Sequence, residues 1–220
     1  MNVQETEKKL GLRFREFEKH AISPSQMLAD VKAEIQGLGE EQVERAKDEV
    51  FNRIISLGPG EGYPVVYDDR NNAKARDLVL FTVFPILIAF QRETGRKVHL
   101  QRGDRRVGDT ISANFVGFGD RKYVFLVEAT KSSIGQARSA CMLALKEMGD
   151  NNPGGVLYGL VASGDFWQII RYQREVFTQT DPVQVGFHTM KRDKAKWLKE
   201  SSIIVDFLHA ALRSEGFVAA

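Results

Sequence analysis

Leu10, Phe14, Phe17 and Ala21 recur at the three-and-four spacing of one helical face. Ser23-Pro24-Ser25 interrupts that pattern and offers a serine cap to a second helix, which Gly37-Leu38-Gly39 breaks. Val43, Ala46, Val50, Ile54 and Leu57 mark a third helix from Glu40 to Leu57, ended by Gly58-Pro59-Gly60. Residues 58–67 read as a turn or linker. From Asn72 to Thr94 the chain is apolar almost all round, and that length favours a buried helix, kinked at Pro85. Three strand-like runs follow, 97–102, 110–118 and 122–129, with Gly103 and Gly119 in the turns between them. A helix over 133–148 shows its core face at Ile134, Ala137, Cys141, Ala144 and Met148. Ser132 or Ser133 caps it, and Asn151-Asn152-Pro153-Gly154-Gly155 ends it. Runs 156–162 and 167–172 read as two further strands, and residues 194–214 as a last helix.

This order predicts an α/β fold, a central mixed β-sheet flanked by helices. It divides into a helical N-terminal region, 1–57, and a main domain, 58–220. The N-terminal helices are expected to cap the main domain, and pairing with a second copy as a homodimer stays open. At 220 residues, 43% apolar and 27% charged, the chain has the composition of an ordinary globular protein. Its single cysteine, Cys141, excludes an intramolecular disulfide and a cysteine-based zinc site. Residues 1–5 contain no apolar leader core, and the most apolar run, 78–90, is too short to span a bilayer. An intracellular protein, cytoplasmic or nuclear and without a membrane partner, is the expectation. The net charge of +2 says little, but its distribution says more. Residues 1–57 carry −2 and the remainder +4.

Candidate chemistry concentrates in that basic remainder. Glu128 follows the apolar run Tyr123-Val124-Phe125-Leu126-Val127, with Thr130, Lys131, Ser132 and Ser133 close behind. A carboxylate there is expensive to bury unless it is paired or holds a metal. Asp109 opens the preceding strand-like run, and Gln136 lies in the first turn of the following helix. Two carboxylates on neighbouring strands suit a hard divalent cation such as Mg²⁺ or Mn²⁺, which takes oxygen ligands and can activate water against a phosphodiester. Arg102, Arg105 and Arg106 precede Asp109, and Lys191 and Arg192 open a second basic cluster that runs to Trp197. Both clusters suit phosphates, with Trp197 either a stacking platform or a core residue.

The sequence of acid, strand, acid with lysine, and helix with glutamine resembles the PD-(D/E)xK nuclease superfamily, over residues 71 to 175. The element order of helix, three strands, helix and strand is also that of the superfamily's restriction-endonuclease-like core. A weaker likeness is to the nuclease modules of crinkler-type effectors. The resemblance implies a Mg²⁺- or Mn²⁺-dependent nuclease with DNA or RNA as substrate. Asp109 stands for the first acid, Glu128 for the second, Lys131 for the lysine and Gln136 for the glutamine, with Asp77 as a third metal ligand. Gly108 replaces the usual proline, and Asp104 is a rival for the first acid. Thr130 holds the usual lysine position, so Lys131 reaches the Glu128 face only through a bulge or a strand end. The resemblance therefore leaves a second reading, a nuclease fold without catalysis that binds nucleic acid or protein.

Overall fold

The computed structural model describes residues 3–33, 35, 39–61, 72–103, 109–117, 120–129, 134–150, 155–163, 166–184 and 193–214. Four helices come first: α1 (Val3–Leu10), α2 (Phe14–Glu18), α3 (Pro24–Ala33) and α4 (Glu40–Glu61). The long apolar helix is α5 (Asn72–Thr94), with Pro85 inside it. Then come β1 (Val98–Gly103), β2 (Asp109–Gly117), β3 (Asp120–Ala129), α6 (Ile134–Asp150), β4 (Leu157–Ser163) and β5 (Phe166–Gln173). The described chain closes with β6 (Val176–Gln179), β7 (Val183–Gln184), α7 (Lys194–Glu200) and α8 (Ile203–Ser214).

The strands form one mixed sheet in the order β1-β2-β3-β4-β5-β6, with β7 pairing with β5. β1, β2 and β3 are antiparallel neighbours, and β3 pairs in parallel with β4 across the α6 connection. The two faces of the sheet bury different cores, as the period-two alternation of strands requires. Phe125, Val127, Tyr158, Leu160 and Ile169 pack with α3, α4, α5 and α8. Leu126, Leu157, Val161, Ile170 and Tyr172 pack with α6, Leu10 of α1 and Phe14 of α2. On β4, Gly159 is the point of closest approach to α6: a Cβ there would overlap the Cys141 sulfur and lie 2.8 Å from Leu145 Cδ1. The N-terminal helices thus cover both faces. The chain passes from one face to the other at Ile22, whose N–H donates to the Gln179 carbonyl at 3.0 Å and whose carbonyl accepts from Asp181 N–H at 2.9 Å. Among the described residues no helix is long and apolar enough to cross a membrane.

Several element boundaries differ from the sequence pattern. The first amphipathic stretch is two short helices, because Gly11 adopts φ +69 and turns the chain between them. The α4 helix does not stop at Leu57: it runs on through Gly58-Pro59-Gly60 to Glu61, so these local helix breakers do not end it where the sequence pattern places its end. The last helix is two, parted at Ser201-Ser202, whose N–H groups both donate to the Trp197 carbonyl. Neither β6 nor β7 is apparent in the sequence. The hairpin turn before β6 is Arg174-Glu175, both at positive φ (49 and 66), without the Gly or Asn that normally announces such a turn.

Candidate active site

Glu128 is the penultimate residue of β3, a central strand, and only 1% of its surface is exposed. Its neighbours Val127 and Ala129 lie in the α5/α8 core, and Leu126 lies in the α6 core. Strand alternation therefore sets Glu128 on the α6 side. Electrostatics agree. Burial pushes the Cys141 thiol, on the inner face of α6, well above its ordinary range, and the Glu128 charge adds to that shift. The thiol is thus a packed, unreactive group. Across the sheet, Glu128 lies beside Val161 of β4, which lies opposite Gln168 of β5. Gln168 is buried and donates from Nε2 to the Thr180 carbonyl at 2.8 Å, while its Oε1 meets no hydrogen-bond donor among the described residues.

On the β2 side, Thr110 is opposite Glu128 and Asp109 is opposite Ala129. Opposed positions in an undistorted antiparallel ladder share a face, so the register matches position 110 to Glu128. Asp109 is the first residue of β2, where the ladder ends. Its side chain, that of Asp77 in α5 and that of Arg102 in β1 lie outside the described set. Thr130, Lys131, Asp104, Arg105, Arg106, Lys191 and Arg192 lie outside the described residues altogether. Gln136 is in the first turn of α6 and is exposed. Among the described residues no three His, Cys, Asp or Glu side chains group to hold a metal, and two of the three expected ligands are not in that set. Glu128 with the carboxylates at positions 109 and 77 has the all-oxygen chemistry that Mg²⁺ or Mn²⁺ requires.

Trp197 is core: 2% exposed, its ring lies 5.8 Å from that of Phe51. Lys194, in the same basic cluster, is held 2.9 Å from Asp48 and 5.1 Å over the Phe51 ring. That part of the cluster is already neutralised within the chain.

Sequence reasoning missed Arg138. It stands one turn into α6, three residues before Cys141, on the helix that covers Glu128. Its side chain is 9% exposed, and its guanidinium is ion-paired with Glu18 of α2 and lies 5.5 Å over the Phe14 ring. Its Nε–H is buried and has no acceptor among the described residues. The only sequence signal was its position directly after Ala137, inside the apolar stripe of α6.

No protein-family model, no curated protein and no solved structure matches the chain.

Proposed function

We propose that the protein is a Mg²⁺- or Mn²⁺-dependent nuclease of PD-(D/E)xK type, acting on DNA or RNA inside the cell. The observation that carries this reading is Glu128, a carboxylate almost wholly buried at the carboxyl end of a central strand. The surrounding topology supports it: a helix, three antiparallel strands, a crossover helix and a parallel fourth strand are the order of a restriction-endonuclease-like core. In this reading Glu128 and Asp109 hold the metal, with Asp77 as a third ligand. The bound ion lowers the pKa of its water and offsets charge on the phosphate. Lys131 supports the attacking water, Gln136 positions the substrate, and Arg102, Arg105, Arg106, Lys191 and Arg192 neutralise its backbone.

A specific feature favours a second reading, a nuclease fold that binds nucleic acid or protein without cutting. The β2–β3 register sets Thr110, not Asp109, opposite Glu128, and Thr130 stands where the lysine belongs. One experiment separates the two. Wild type and Glu128→Ala are melted with and without Mn²⁺ and incubated with plasmid and single-stranded RNA. The nuclease reading expects Mn²⁺ to raise the wild-type melting temperature by mass action, Glu128→Ala to lose that rise, and only wild type to cut. Equal Mn²⁺ responses with no cleavage would sink it.

A further inference from the structure

We propose that Arg138 is a phosphate-binding residue of this site, and that Glu18 of α2 occupies it when no nucleic acid is bound. The proposal rests on the nuclease-fold reading and adds a residue to it. Arg138 belongs to the same corner of the fold as Glu128. The α6 helix starts across a four-residue connection from β3, and Cys141, one turn beyond Arg138, lies within the field of the Glu128 carboxylate. The pair with Glu18 is lopsided. The Arg138 side chain is 9% exposed, whereas the Glu18 side chain is 53% exposed. One donor of the guanidinium, Nε–H, has no acceptor among the described residues, which is costly for a buried charged group. A guanidinium offers a planar fork that a phosphate satisfies with two parallel hydrogen bonds. A carboxylate reaching in from solvent leaves this fork half used, and a phosphate fills it.

The occupant is also easily displaced. The α2 helix has five residues, and its N-cap residue, Arg13, makes no side-chain cap. It follows the left-handed turn at Gly11 and is anchored by Phe14, which is buried and whose N–H donates to Glu7 Oε1 at 2.8 Å. Glu18 is the last residue of that helix, next to Phe17, which packs partly buried on the same core and whose carbonyl accepts from Gln179 Nε2 at 3.3 Å. The Glu18 carboxylate can leave Arg138 for water without disturbing Phe14.

The test is binding of a fluorescein-labelled oligothymidylate in metal-free buffer containing EDTA, where nothing is cut. Glu18→Gln should tighten binding several-fold and steepen the salt dependence by about 0.7 in slope, one phosphate contact on a single strand. Combining Glu18→Gln with Arg138→Met should abolish that gain. Should the methionine protein fail to fold, Arg138→Lys, which keeps the charge but not the fork, should at least halve it. Unchanged affinity in Glu18→Gln overturns the proposal. So does an equal gain in the Arg138 variants, which would reflect net charge alone. Because no metal is present, a protein that never cuts with Mn²⁺ would end the nuclease reading and leave this result standing.

Discussion

Lys47 and Arg138 are two cations buried to the same depth on opposite faces of one sheet, with side chains 10% and 9% exposed. Lys47, on α4, lies 2.7 Å from Glu44 of its own helix and 3.0 Å from Asp206 of α8. Burial draws its pKa down, but the two carboxylates outweigh burial and hold it above its ordinary value. Asp206 shows the opposite balance: burial raises it above the usual carboxylate range, and Lys47 recovers only part of that. The two shifts disagree on how well the pair holds its charges. We take both groups as charged at neutral pH, because the contacts have the length of charge-assisted hydrogen bonds. Among the described residues Arg138 has one carboxylate partner, half in water, and a donor with no acceptor. Equal burial therefore conceals different roles. One cation is closed off by its own fold, and the other is open to an anion from outside.

The strongest way to break this comparison is to remove Lys47. Lys47→Met leaves the largely buried Asp206 without its ion-pair partner, with only the weaker field of Lys32 to favour its charge, and breaking one side of such a pair costs about 3–5 kcal/mol. Urea melts at pH 7 measure it. The loss should shrink toward pH 5, because an unpaired Asp206, already raised by burial, takes up a proton and becomes neutral. Adding Asp206→Leu should recover most of the stability, since a matched apolar pair replaces the ions. A Lys47→Met protein within about 1 kcal/mol of wild type would show that the closed pair is not structural.

His209 extends the comparison along the same face. It is buried on α8, its ring edge-on to that of Phe90 at a centroid distance of 6.4 Å. Its Nε2 lies 3.3 Å from the Glu93 carboxylate, which Arg213 also binds. Burial lowers its pKa from 6.5 to about 4. A histidine that titrates lower in the folded chain binds its proton first in the unfolded one. Its contribution is whole above pH 6.5 and is lost as pH falls toward 4. That shift corresponds to a loss of roughly 3 kcal/mol, at about 1.4 kcal/mol per pH unit. Glu93 attracts the protonated ring, so this is an upper bound. Melting curves from pH 7.5 to 4.5 should show the gap between wild type and His209→Leu narrowing as pH falls. A gap independent of pH would contradict the shift.

The sheet was legible in the sequence because its cues are local. The periodicities of α5, β1–β3, α6, β4 and β5 depend on residues within one turn or one strand, and each element lies within a few residues of its expected place. The Arg174-Glu175 turn had no such cue, so β6 and β7 were invisible. The burial of Glu128 was legible from the apolar run before it, because a central strand leaves its last side chains no solvent. The pairing of Arg138 with Glu18 was not. It joins residues 120 positions apart and depends on Ile22 carrying the chain around the sheet edge, so α2 and α3 land on opposite faces. A contact set by topology leaves no trace in local pattern.

The finest distinction between the two cations is the stability cost of losing Arg138. Methionine fills most of the guanidinium's volume over Phe14 and removes the buried donor that has no acceptor. Glu18, half exposed, returns to water and carries none of the penalty that Asp206 bears when Lys47 is lost. What remains is the loss of one solvent-screened ion pair and of a cation–π contact. Arg138→Met should therefore destabilise by about 1 kcal/mol, against about 3–5 kcal/mol for Lys47→Met in the same urea melts. Arg138→Met should also leave the pH dependence of stability unchanged between pH 5 and 7, because no buried carboxylate is left behind. If the two substitutions cost the same, Arg138 is as structural as Lys47. Glu18 would then be its permanent partner rather than the occupant of a phosphate site.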